Sequence, residues 1–83
     1  MFTVKQKKRK SRILPYAFTI EPNFSEGELV VDVIPVILFW IFENIGPYDK
    51  KRWQMRHAMG TKKFLSIYFA NLEDAAAFKM AWL

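Results

Sequence analysis

The sequence predicts a small α+β domain, an antiparallel sheet with its helices on one face. Three observations carry this expectation. Apolar residues alternate with a period of two in three separate stretches. Two other stretches combine helical spacing with start and stop signals. The chain has 83 residues, enough for one hydrophobic core and too few for two. Residues 13–83 are read as that single domain and residues 1–12 as a basic N-terminal tail.

In ILPYAFTI, residues 13–20, Leu14, Tyr16, Phe18 and Ile20 share one side of an extended chain. Pro15 removes a ladder donor, which places that end at a strand start or a sheet edge. Residues 21–28, EPNFSEGE, carry the Pro, Asn, Ser and Gly of a loop. Asp32 is expected to cap a helix running from Val33 to about Ile45, with Pro35 in its first turn, and residues 29–31, LVV, either extend this helix or form a short strand of their own. Gly46 and Pro47 supply its stop. The stripe expected to face the sheet is Ile34, Leu38, Ile41 and Ile45, with Ile37 beside it.

KRWQMRHAM, residues 51–59, alternates Trp53, Met55 and His57 with Gln54 and Arg56. KKFLSIYFA, residues 62–70, sends Leu65, Ile67 and Phe69 to one face and Phe64, Ser66 and Tyr68 to the other. Gly60 and Thr61 join these two strands as a hairpin turn. Asn71 caps a second helix, with Glu73 and Asp74 in its first turn and the helix formers Ala75, Ala76 and Ala77 behind them. The order is strand, helix, strand, strand, helix, β-α-β-β-α, most of a ferredoxin-like split βαβ unit. A fourth strand would have to lie in KMAWL, residues 79–83.

Composition narrows the function classes. Hydrophobic residues are 52% and aromatics 17%, which excludes intrinsic disorder for the body of the chain. Without cysteine there is no disulfide framework and no thiolate zinc site. The longest apolar run, VIPVILFWIF at residues 33–42, is closed by Asp32 and Glu43. It is about half the length that spans a bilayer, so no membrane partner and a soluble, intracellular protein are expected. His57 has no partner in sequence for metal binding or nucleophilic catalysis. Glu73 and Asp74, adjacent on a helix, point about 100° apart and make a poor acid–base couple. Three scattered glycines form no phosphate-cradling loop. The reading is a non-enzyme with no cofactor and no metal.

Two surfaces stand out instead. Between Val33 and Phe42 the first helix has no polar residue, although a helix on one side of a sheet normally turns a polar face to water. Val36, Phe39 and Trp40 fall largely outside the core stripe and are the candidate partner-binding residues, for a second copy or a partner protein. The bland alternative is that the loop at 21–31 folds over them. The second surface is electrostatic. Six of the 13 basic residues, Lys5, Lys7, Lys8, Arg9, Lys10 and Arg12, lie in the first 12 positions, and the remainder carries 7 basic and 8 acidic residues. Such a cluster suits phosphate or an acidic protein, or is simply a solvated tail. With Phe64 and Tyr68 as stacking platforms it gives the alternative function, a nucleic-acid-binding module.

Two resemblances add to this. KKFLSIYFANLEDAAAF resembles the third strand and second helix of RNA-recognition-motif domains, where a basic–Gly–aromatic–small–aromatic–aliphatic–x–aromatic octapeptide precedes an acidic, Ala-rich helix. Lys62, Phe64, Ile67 and Phe69 match. Lys63 stands for the glycine, Leu65 for the small residue and Ser66 for the second stacking aromatic, so the resemblance implies one stacking position, Phe64. A longer spaced pattern is similar to small proteins of tailed bacteriophages, notably marine ones. It comprises Trp40, Glu43, Asn44, Gly46, Trp53, Phe69, Glu73, Asp74, Ala75, Phe78, Lys79 and Trp82. This resemblance implies a phage origin and a virion-associated or host-directed role, in the virion or the cytoplasm of a bacterial host.

Overall fold

The structure is a computed structural model that describes residues 1–8, 12–57 and 64–83. Strands β1 (Thr3–Lys7) and β2 (Tyr16–Glu21) precede helix α1 (Val30–Asn44). Strands β3 (Trp53–His57) and β4 (Leu65–Phe69) precede helix α2 (Leu72–Trp82), and a short 3₁₀ turn at Phe24–Glu26 lies between β2 and α1. The four strands form one sheet in the order β1-β2-β4-β3, with every neighbouring pair antiparallel. Consequently β2 and β3 run parallel to each other with β4 between them.

The α+β class, the antiparallel sheet and the one-sided helices agree with the sequence reading. The order does not: it is β-β-α-β-β-α in place of β-α-β-β-α. Residues 3–7 of the expected tail are an edge strand, paired with β2 through Val4↔Ile20 and Gln6↔Phe18. In TVKQK only Val4 is apolar, so charge hid the strand, but one buried residue suffices to fix an edge strand on the core. The C-terminal KMAWL supplies no strand; α2 continues through it to Trp82. Arg9 and Lys10 of the expected tail, and the expected Gly60–Thr61 turn, lie outside the described residues.

Pleating sorts the sheet residues. Val4, Phe18, Ile20, Trp53, Leu65, Ile67 and Phe69 meet Val33, Ile37 and Ile41 of α1 and Ala75 and Phe78 of α2 in a single core. Aromatic rings converge on Phe78, with Phe18 at 4.9 Å, Phe69 at 5.3 Å and Trp40 at 5.6 Å between centroids. Trp82 continues this layer to Phe2, at 5.3 Å.

Helix α1 starts three residues before the expected Val33. Asp32 is not the N-cap but a residue of the first turn, whose carboxylate accepts the Leu29 backbone N–H at 2.9 Å. The earlier start brings Val30 into line with Val33, Ile37 and Ile41, and this is the buried stripe; Ile34 and Leu38 are only half-buried. Pro35 sits at the sixth helical position, on the exposed side of the helix, where it cannot donate a hydrogen bond to the carbonyl of Val31. At the other end, the N–H groups of Ile45 and Gly46 both reach the Ile41 carbonyl, at 2.7 and 2.9 Å. Gly46 takes φ of 136°, a conformation that side chains disfavour. Gly46→Ala is expected to cost about 1–3 kcal/mol, read as a lower urea midpoint with unchanged slope.

Helix α2 begins as expected at Asn71, whose side-chain oxygen accepts the Asp74 N–H at 2.8 Å. Asp74 does more than favour the helix dipole. It is buried and accepts two hydrogen bonds from Arg52, at 2.8 Å from Nε and 3.1 Å from Nη2, which fasten the start of β3 to α2. These bonds, and then the charge of Asp74, hold the Arg52 guanidinium pKa above its ordinary value. Arg52 and Asp74 are 22 residues apart, and nothing local in the sequence links them.

Candidate interaction surfaces

The outer side of α1 follows from which stripe is buried. With Val30, Val33, Ile37 and Ile41 facing the sheet, the opposite side carries Val31, Pro35, Val36, Phe39 and Phe42. Phe39 is 67% exposed, Val31 61%, Phe42 51% and Val36 45%. The loop between β2 and α1 does not cover them. Leu29 extends the patch at one end and Tyr48 at the other, both exposed. Phe42 and Tyr48 lie against the buried Trp53 ring, at 6.0 and 5.3 Å, and the Trp53 indole N–H donates to the Pro47 carbonyl at 3.3 Å. These contacts fix the C-terminal end of the patch on the core.

Of the three residues expected on this surface, Val36 and Phe39 lie on it. Trp40 does not. It is half-buried, packed edge-on against Phe78 at 5.6 Å and Trp82 at 6.3 Å, so it joins α1 to α2. Val31 and Phe42 are not among the expected residues, because a helix capped by Asp32 has its apolar stripe one step round from the buried one.

No family model matches the chain, and no curated protein or solved structure is significantly similar to it.

The second surface is the side of the sheet opposite the helices. Register places Lys7, Ala17, Tyr68 and Gln54 in one row across the strands, and Lys5, Thr19, Ser66 and Arg56 in the next. Lys5, Lys7 and Arg56 are exposed, while Ala17 and Ser66 are buried between their neighbours. The Arg56 guanidinium carbon lies 6.0 Å from the centre of the Tyr68 ring. Phe64 stands half-buried just before β4, in step with Ser66 and Tyr68. Lys8 and Arg12 are exposed outside the strands, and Arg9 and Lys10 lie outside the described residues. Arg56 was not anticipated as a site residue, since only the fold brings it beside Tyr68.

No group of His, Asp or Glu among the described residues is placed to hold a metal ion, and His57 is exposed at the end of β3. A cleft lined by Gln6, Tyr16, Phe18, Leu72, Ala75, Ala76 and Lys79 has a volume of about 220 Å³. That is below the roughly 300–1,000 Å³ of small-molecule sites. No helix of the described residues is long and apolar enough to cross a membrane.

Proposed function

We propose a small, non-enzymatic interaction protein that docks the outer face of α1 on itself or on a partner protein. The observation that carries this reading is the exposure of four large apolar side chains, Val31, Val36, Phe39 and Phe42, on the outer side of α1, which they share with the exposed Asp32 and Glu43. Patches of large apolar side chains on this scale mark interaction sites in small proteins, and a frame fixed by Trp53 and Trp40 presents this one ready-formed. The similarity to small tailed-phage proteins supports a virion-associated or host-directed setting, and rests on the spaced residues from Trp40 to Trp82 alone. The parallel pair β2 and β3 with β4 inserted between them supports kinship with ferredoxin-like folds, with β1 taking the edge that the missing last strand would occupy.

A second copy is the occupant that the charges favour. In an antiparallel pair of α1 helices, Asp32 of one copy would approach the exposed Lys50–Lys51 turn that follows α1 in the other. Phe39→Glu puts a charge at the centre of the patch and touches no core residue. It is expected to abolish a concentration-dependent dimer in light scattering while leaving the melting temperature of the monomer unchanged. A wild type that stays monomeric at high concentration excludes the second copy as occupant. A dimer indifferent to Phe39→Glu removes the α1 face altogether.

A further inference from the structure

We propose that the open edge of β1 takes up an extended segment of another protein as a fifth strand, with an apolar side chain opposite Gln6 and acidic side chains opposite Lys5 and Lys7. The inference goes beyond the docking face of α1 and uses none of its residues.

The ladder fixes which backbone groups of β1 face outwards. β1 is the outermost strand, with β2 on one side and no described strand on the other. The Ala70 N–H reaches the Arg52 carbonyl at 2.8 Å, so Ala70 points its backbone groups towards β3. Successive residues of a strand point these groups to opposite sides. Register carries that alternation through Phe69↔Tyr16 and Ala17↔Lys7 to the edge. Thr3, Lys5 and Lys7 therefore bond inwards to β2, while Val4 and Gln6 turn their N–H and C=O outwards. A further strand pairs with groups arranged in this way.

The two faces of this edge select different side chains. Gln6 pairs with Phe18 of the core, so its side chain lies on the helix side, where it lines the cleft between α2 and the strands. Phe18, Leu72, Ala75 and Ala76 make that cleft apolar, and Lys79 is the charged residue lining it. Its volume of about 220 Å³ suits one side chain better than a small molecule. Lys5 and Lys7 are exposed on the other face. An added strand puts the residue opposite Gln6 on the cleft side and its two neighbours on the lysine side. The segment recognised therefore reads acidic–apolar–acidic. Charge also argues against a second copy here. Lys5 and Lys7 oppose pairing of β1 with another β1. The acid–x–acid triplet of this chain, Glu26 to Glu28, has Gly27 at its centre, and Glu28 already accepts the Asn23 N–H at 2.9 Å. The contact of Lys5 with Glu21 is 3.5 Å long and exposed at both ends, so it contributes little and exchanges readily.

The test is fluorescence anisotropy of the full chain with a labelled, end-capped peptide alternating Glu and Val over about eight residues, enough to cover β1. A peptide with the same residues in two blocks keeps the charge and loses the alternation; it is expected to bind at least about 10-fold more weakly. Methylating every second backbone nitrogen gives two further peptides. One is expected to lose binding and the other to keep it, because an added strand bonds along one side only. Gln6→Pro removes an outward N–H, which an edge strand tolerates, and is expected to abolish binding. Ala76→Glu, at an exposed helix position, puts a carboxylate at the cleft and is expected to weaken binding at least about 10-fold. Lys7→Ala is expected to weaken it about 1.5- to 5-fold. Phe39→Glu is expected to bind as the wild type does. Each variant is first shown to melt cooperatively; if Gln6→Pro does not, the methylated peptides decide the same point on the wild type. The proposal is overturned if the alternating peptide does not bind at low salt, or if it binds no better than the blocked one. It is equally overturned if the two methylated peptides bind alike, or if folded Gln6→Pro and Ala76→Glu bind unchanged. Binding of an oligothymidylate by wild type and Gln6→Pro alike, with no binding of the peptide, overturns it in favour of a nucleic acid.

Discussion

Phe78→Ala is expected to leave a chain with little or no cooperative unfolding transition at room temperature. Phe78 is fully buried and touches the rings of Phe18 and Phe69 in the sheet, Trp40 in α1 and Trp82 in its own helix. Among the described residues, no other ring joins the sheet to both helices. Truncating a buried phenylalanine costs about 3–5 kcal/mol, through lost transfer energy and the cavity left behind. At about 0.05–0.15 kcal/mol per residue, a domain of this size has a total stability of about 4–12 kcal/mol. The loss therefore consumes a large part of the whole. Met80→Ala, on the same helix but 87% exposed, is the control and is expected to change stability by less than about 0.5 kcal/mol. Urea denaturation followed by circular dichroism separates them. If both variants unfold at the wild-type midpoint, the placement of α2 on the sheet is wrong.

Removal of residues 1–7 is the second large effect. Loss of a solvated tail leaves the melting temperature where it was. Loss of β1 does not. Val4 is buried, and burial of a valine side chain contributes about 1.5–3 kcal/mol by itself. The deletion also strips Phe2 from Trp82 and turns β2 into an open edge flanked by Phe18 and Ile20. Native edges are defended by charge, as Lys5 and Lys7 defend this one. The truncated chain is expected to melt lower by more than Val4→Ala does, and to aggregate on heating. A deletion variant with wild-type stability would return residues 1–7 to the status of a tail.

The sequence showed some of this architecture and concealed the rest for identifiable reasons. The faces of β4 were legible because Leu65, Ile67 and Phe69 alternate cleanly with Ser66 and Tyr68. The Asn71 cap was legible because its partner lies three residues away. β1 was concealed because its single apolar residue, Val4, sits among lysines, and an edge strand needs no more. The stripe of α1 was displaced because nearly every residue from 30 to 42 is apolar, so spacing alone did not choose among the faces. The sheet chose, by burying Val30, Val33, Ile37 and Ile41. That choice moved Trp40 inward against Phe78 and turned Phe42 and Val31 outward. Arg52 with Asp74, and Arg56 with Tyr68, depend on strand pairing across the fold and leave no local pattern.

The central claim is that the outer face of α1 meets a second copy, and intermolecular paramagnetic broadening tests it most directly. The chain has no cysteine, so Asp49→Cys, next to Lys50 and Lys51, which stay intact, gives a single nitroxide position at the rim of the patch. This labelled protein is mixed with unlabelled, isotope-enriched wild type, and amide signals of the enriched copy are recorded. Antiparallel docking predicts broadening concentrated at Leu29–Val33, the first turn of α1, with weaker effects towards Phe39 and none on the Lys5–Arg56 side of the sheet. Broadening confined to the sheet edges, or absent at millimolar concentration, would contradict the account.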